Sequence, residues 1–211
     1  MLRKRDYFVK YESWTTILTS NPFIIPLTEL LAKTPVTPNQ ITILSFLVAL
    51  GTVYLYFTGN LFVGALVWHV GFILDCVDGS LARKLGKTSE FGAKLDHTLD
   101  KIKKILAIIA IIYATHAQYN LSLMILLVII HYLLHRIKYR KNEVFIEYLQ
   151  AKGIKAFFDP LDEQFFIVFL GPLTGYVFQF IVITVVLQIL NRAVHICGNK
   201  YCFSHKQSTH F

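Results

Sequence analysis

The chain has 211 residues, 55% of them hydrophobic and 16% charged, with a formal charge of +8 and a mean hydropathy of +0.52. That composition excludes a soluble globular chain and indicates a membrane protein built as one compact domain. The positive charge does not indicate nucleic acid, because Lys and Arg, Lys33 apart, fall in four clusters, Arg3–Lys10, Arg83–Lys104, Arg136–Lys155 and Arg192–Lys206. The connections Thr58–Asn60, Thr115–Asn120 and Pro172–Gly175 carry none. The positive-inside rule reads this alternation as an even number of crossings of the cell membrane, with both termini cytoplasmic.

Residues 1–36 are expected as an amphipathic segment beside the membrane. Tyr7, Phe8, Tyr11, Trp14, Ile17 and Leu18 recur at roughly helical intervals. They suggest helices over Asp6–Thr19 and Pro26–Lys33, either lying at the interface with rings at headgroup level or packed on the domain. No apolar run precedes Asn21, so no cleavable signal peptide is expected. Thr37 suits an N-cap and Pro38 the first helical position. They open a first span over Asn39–Phe57, joined by Thr58–Asn60 to a second over Leu61–Leu81. The third runs over Ala93–Ala114, the fourth over Leu121–Leu134, a short fifth over Leu161–Pro172, and the sixth over Tyr176–Val194. The expected fold is therefore an all-α, six-helix membrane bundle over residues 37–196, followed by a cytoplasmic tail, 197–211.

The three cysteines, Cys76, Cys197 and Cys202, give no disulfide framework. His195, Cys197, Cys202 and His205 match no zinc-finger spacing, and the tail that holds most of them reads as flexible and unliganded. His69 and His131 read as core or water-contacting residues, and His97 has no assigned role. Trp14 and Trp68 read as interface or packing residues.

The stretch with chemistry is Asp75–Asp100, DCVDGSLARKLGKTSEFGAKLDHTLD. Asp75 and Asp78 close span two, and Asp96 and Asp100 open span three. Spacings of three and four put each pair on one helix face. Four carboxylates meeting near lipid are costly unless cations compensate them. Two divalent ions held by hard oxygen ligands, Mg2+ or Mn2+, would do so and suit cleavage of a phosphoanhydride. Four bare acids also fit a cation transporter or a proton path.

The full pattern is more specific: D-x2-D-G-x2-A-R, eight residues, then G-x3-D-x3-D. Asp75, Asp78, Gly79, Ala82, Arg83, Gly92, Asp96 and Asp100 match it, and it resembles the signature of the CDP-alcohol phosphatidyltransferase family of integral membrane enzymes. An arginine and two glycines at these places have little use in a cation pathway. The resemblance implies phospholipid biosynthesis by metal-dependent transfer of a phospho-alcohol group from a CDP-linked lipid, such as CDP-diacylglycerol or CDP-archaeol, with release of CMP. It implies Asp75, Asp78 and Asp96 as the principal metal ligands. Asp100 would help hold the second ion and act as general base. It implies nucleotide contacts at Asn39, Thr42, Gly79, Ala82 and Ser89, with Arg83 on the donor diphosphate. The implied partners are that donor, a polyol or polyol-phosphate acceptor, membrane lipids and a second copy of the chain. The segment from Asn21 to Thr42 is similar to prokaryotic members that handle inositol phosphate or glycerol phosphate. The basic stretch His135–Lys141, with Lys103, Lys104 and Arg192, would bind an acceptor phosphate or simply face anionic lipid.

Overall fold

A computed structural model describes residues 13–136, 143–151 and 158–207, and the described residues form helices and turns with no strand. Two short helices, α1 (Trp14–Thr19) and α2 (Asn21–Leu31), precede the long ones. Then come α3 (Pro38–Phe57), α4 (Leu61–Lys84), α5 (Glu90–Thr115) and α6 (Leu121–Arg136). α7 (Glu143–Ala151), α8 (Pro160–Gln164), a π-helical segment (Phe165–Leu170), α9 (Gly171–Thr174) and α10 (Val177–Gln207) complete the described residues.

By length and composition, three of these can cross a membrane: Pro38–Phe57, Leu61–Lys84 and Val177–Ile196. At 1.5 Å per residue the 20 residues of α3 reach about 30 Å, the thickness of a hydrocarbon core. The outward faces of α3, α5 and α10 carry exposed Leu47, Tyr54, Ile105, Ile109, Val186 and Ile189, which suits hydrocarbon rather than water. Leu121–Leu134 is apolar but shorter, and the charged first half of α5 keeps that helix out of the three.

The core lies where α3, α4 and α5 pack together and where the π-helical segment and α10 close on them. Ala49, Ala107 and Ala110 are almost fully buried there, and such small side chains let helix backbones approach closely. Gly64 is the extreme case, since a Cβ on it would lie 2.6 Å from the ring of Tyr56. The Tyr56 hydroxyl donates to the carbonyl of Val168 at 2.5 Å and ties α3 to the π-helical segment. A smaller cluster of Ile24, Ile41, Val77 and Leu81 seats α2 beneath α3 and α4, and a Lys84–Glu29 ion pair adds to it.

The expected start of span one is found: Thr37 caps α3 in a capping box with Gln40, and Pro38 is the first helical residue. Other expectations need correction. Ser13 is extended and caps α1 through its hydroxyl, so that helix starts at Trp14 and not at Asp6; residues 6–12 lie outside the described residues. Pro26 does not start a helix. It lies inside α2, which begins at Asn21 with Pro22 in its first turn, where a missing N–H costs nothing. α1 is fastened to the bundle: Thr15 donates to Asp162 through its hydroxyl at 2.6 Å and its N–H at 3.3 Å, and Trp14 meets the ring of Phe166 edge-on. The fifth apolar run is a chain of short pieces of 5, 6 and 4 residues, with the π-helical segment in its middle. α7 was not expected, and α10 runs unbroken to Gln207, so 197–207 is helical where a flexible tail was expected.

Candidate active site

The site forms at one end of α3, α4 and α5. α4 stops there by a local device: Gly86 takes φ +63°, its N–H bonds to Arg83 O at 3.3 Å, and Lys87 N–H bonds back to Ala82 O at 2.9 Å. That reversal leaves only a short loop before Ser89, whose hydroxyl accepts from Gly92 N–H at 3.0 Å and caps α5. The last turns of α4 and the first turns of α5 are thereby held side by side.

One carboxylate oxygen from each of Asp75, Asp78 and Asp96 lies within 4.8 Å of the others. Asp78 is buried and accepts from the Thr42 hydroxyl at 2.5 Å; Asp75 accepts from the Ser45 hydroxyl at 3.3 Å. Each bond fixes an acid of α4 from α3. Three oxygen donors so close, with few protein donors to neutralise them, fit a hard divalent cation. Asp100 is not part of this group. Its Oδ1 lies 2.6 Å from Lys103 Nζ, and its Oδ2 accepts from Lys104 Nζ at 3.0 Å. Lys103 also donates to Asp75 Oδ1 at 2.5 Å.

Beside the triad is a cavity of about 210 Å³. Asn39, Thr42, Gly79, Ala82, Arg83 and Ser89, the six positions expected at the nucleotide, all line it, together with Asp78, Gly92 and Asp96. Arg83 bonds to Ser80 at 3.3 Å. At Gly92 a Cβ would stand 3.0 Å from Asn39 Oδ1 and 3.1 Å from Ser89 Oγ, so a side chain there would crowd the wall. Pro38, Lys87, Thr88 and Ala93 also line the cavity and were not singled out in the sequence.

The expected phosphate-binding cations lie less simply. Lys103 is buried in the acidic cluster itself, and Lys104 pairs with Asp100. Arg192 donates to carbonyls of Gln188 and Leu134, which fastens α10 to α6. Arg136 is exposed and bonds the Tyr132 hydroxyl at 3.1 Å. Residues 137–141 of the basic stretch, and the side chains of His135, Cys197, Cys202 and His205, lie outside what is described. His195 is buried, edge-on to Phe145 at 5.7 Å.

The family model for CDP-alcohol phosphatidyltransferase matches residues 35–197. The chain belongs to that family. It is 43% identical over 72 residues to the archaetidylinositol phosphate synthase of Pyrococcus horikoshii, 34% of this chain and 38% of that one. It is 38% identical over 80 residues to a phosphatidylinositol phosphate synthase of Streptomyces avermitilis, 37% of this chain and 33% of that one. The match thus spans well under half the length of either relative. Solved structures of Mycobacterium tuberculosis phosphatidylinositol phosphate synthase share the fold. The one with CDP-DAG bound gives a TM-score of 0.54 at 19% identity, covering 81% of this chain and 92% of that one. The complex with manganese and citrate gives 0.55 at 18%, covering 80% and 87%.

Proposed function

We propose that this chain transfers a phospho-alcohol group from a CDP-linked lipid, CDP-diacylglycerol or CDP-archaeol, to a hydroxyl acceptor and releases CMP. The observation that carries the reading is the meeting of the Asp75–Asp78–Asp96 triad with the cavity of Asn39, Thr42, Gly79, Ala82, Arg83 and Ser89. Asn39, Thr42 and Ser89 offer polar contacts to the cytidine nucleotide, while Gly79 and Ala82 keep the wall open to it. Arg83, always charged and able to bridge two oxygens, orients the donor diphosphate. Asp75, Asp78 and Asp96, with Asp100 contributing to a second site, would hold two Mg2+ or Mn2+ ions, which supply positive charge to the diphosphate and the leaving CMP. The acceptor oxygen forms its bond to the lipid-side phosphorus as the bond to the CMP phosphate oxygen breaks. Asp100 takes the hydroxyl proton.

The names of the relatives support inositol phosphate as acceptor, with glycerol phosphate the other candidate. The same reading gives six spans (α3, α4, α5, α6, the run Pro160–Thr174, and α10) in a membrane unit over 37–196, after an interfacial segment over 1–36. Both termini, the 197–211 extension and the acidic cluster face the cytoplasm, and a homodimer is the expected assembly. The apolar outer faces of the helices support insertion in the membrane, and the clustering of Lys and Arg supports the orientation. Labelling of Asn60→Cys by an impermeant reagent from outside checks it, and protection from that reagent refutes it.

The deciding experiment incubates purified protein with either donor, Mg2+ or Mn2+, and a panel of phosphorylated and free polyols. CMP release that depends on metal and acceptor is expected. No release with any pair, alongside cation flux in liposomes, would instead establish the transporter alternative.

A further inference from the structure

Lys103 is the more deeply buried of the two lysines in the acidic cluster, and neither the signature nor the proposed chemistry uses it. It lies on α5 one turn beyond Asp100, is 3% exposed, and points its ammonium at two carboxylates. Nζ is 2.5 Å from Asp75 Oδ1 and 2.6 Å from Asp100 Oδ1. Burying an ammonium is costly unless carboxylates repay its lost hydration, and these two do so from opposite helices. Asp75 therefore has two attachments. It belongs to the triad with Asp78 and Asp96, and it shares Lys103 with Asp100. A divalent ion bound through Asp75 Oδ1 and Asp100 Oδ1 would compete with Lys103 for those two oxygens.

Charge leads to the same place. The four aspartates bring four negative charges, and Lys103 and Lys104 neutralise two of them. One divalent ion on the triad balances the remainder. A second ion would arrive in an already neutral cluster, without an anion to face until a diphosphate enters.

We propose that the Lys103 ammonium is the resident counter-ion of the Asp75–Asp100 half of the site, standing in the place of a second divalent cation until the donor diphosphate arrives with one. The inference rests on the metal-dependent reading above and deepens it. The triad is the tight cation site, the Lys103 half is the weak one, and the second ion enters by displacing the lysine.

The test is a Mn2+ titration of the purified protein in detergent without donor, with free Mn2+ read by electron paramagnetic resonance. Wild type is expected to show one tight class and one at least about tenfold weaker, as contact with a fixed positive charge requires. Lys103→Met should tighten the weak class by about tenfold or more and the tight class far less. Lys103→Gln reads the same quantity if the methionine variant does not fold. Two wild-type ions of equal affinity, or classes that shift together in the variant, overturn the proposal. If CMP release is retained in that case, the function stands and only the role of Lys103 falls. Absence of any Mn2+ binding overturns both.

Discussion

At Asp162 the carboxylate is engaged by the fold on both oxygens: Oδ1 accepts from Thr15 N–H and hydroxyl, and Oδ2 accepts from Asp159 N–H at 3.0 Å. Asp159 likewise accepts from Leu161 N–H at 2.8 Å and Asp162 N–H at 3.1 Å. At Asp78 the fold supplies the Thr42 hydroxyl, and at Asp75 the Ser45 hydroxyl and Lys103 Nζ, fewer than at Asp162, and the triad carboxylates face one another within 4.8 Å. Both groups are acids in an apolar bundle, yet one is a fastening and the other, in the function proposed above, a receptor. What separates them is the number of N–H and O–H groups aimed at the oxygens. Where protein donors are many the acid holds structure; where they are few, the charge is left for something that binds.

The contrast is broken most severely at the triad. Asp96→Asn is expected to lower CMP release by more than about a hundredfold, since even losing a partner behind a metal ligand costs roughly 10–100-fold. Its melting temperature in detergent should be unchanged or higher, because one of three mutually repelling carboxylates is gone. A variant that melts early would show the triad to be a fastening after all. At the other cluster the effects exchange. Asp162→Ala strips the acceptor from three donors and is expected to cost about 2–3 kcal/mol of stability. Thermal unfolding measures that loss, and Mn2+ affinity of the protein that remains folded should be unaltered.

The smallest effect sharpens the boundary between the two kinds of role. Ser89 both caps α5 and lines the cavity. Glycine at an N-cap costs only a few tenths of a kcal/mol, so Ser89→Gly leaves the helix nearly intact while removing the hydroxyl. A rise in the KM for the CDP-linked donor, with stability held, would mark a nucleotide contact. An unaltered KM would leave Ser89 as a cap alone.

The receptor was legible in the sequence and the fastening was not, for a physical reason. Asp75 to Asp100 lie within one helical hairpin, so residue type and helical spacing fix their meeting almost locally. The Thr37 cap and Pro38 are local as well, and the start of α3 could be read directly. Thr15 and Asp162 are far apart in the chain, and no pattern in either segment names the other. Half of the signal was present, since Asp159-Pro160-Leu161-Asp162 has the spacing of a capping box, which α8 forms. The placement of Lys103 was hidden differently. Its type suggested a surface cation, and only packing turns it inward between Asp75 and Asp100. The Gly64–Tyr56 contact is hidden in the same way, as a glycine in an apolar run does not say which ring it admits.

The π-helical segment Phe165–Leu170 makes the helix run sensitive to single-residue insertions and deletions in a way that ordinary helices are not. A π turn carries an extra residue inside an α-helical path. Deleting one residue there would restore the ordinary hydrogen-bond ladder and at once rotate all that precedes it by about 100°, the step of one residue at 3.6 per turn. Asp162 would turn away from Thr15, and Val168 would no longer present its carbonyl to Tyr56. The irregular turn is a phase offset between the two ends of this run, one that lets α8 meet α1 while the far end meets α4 and α10.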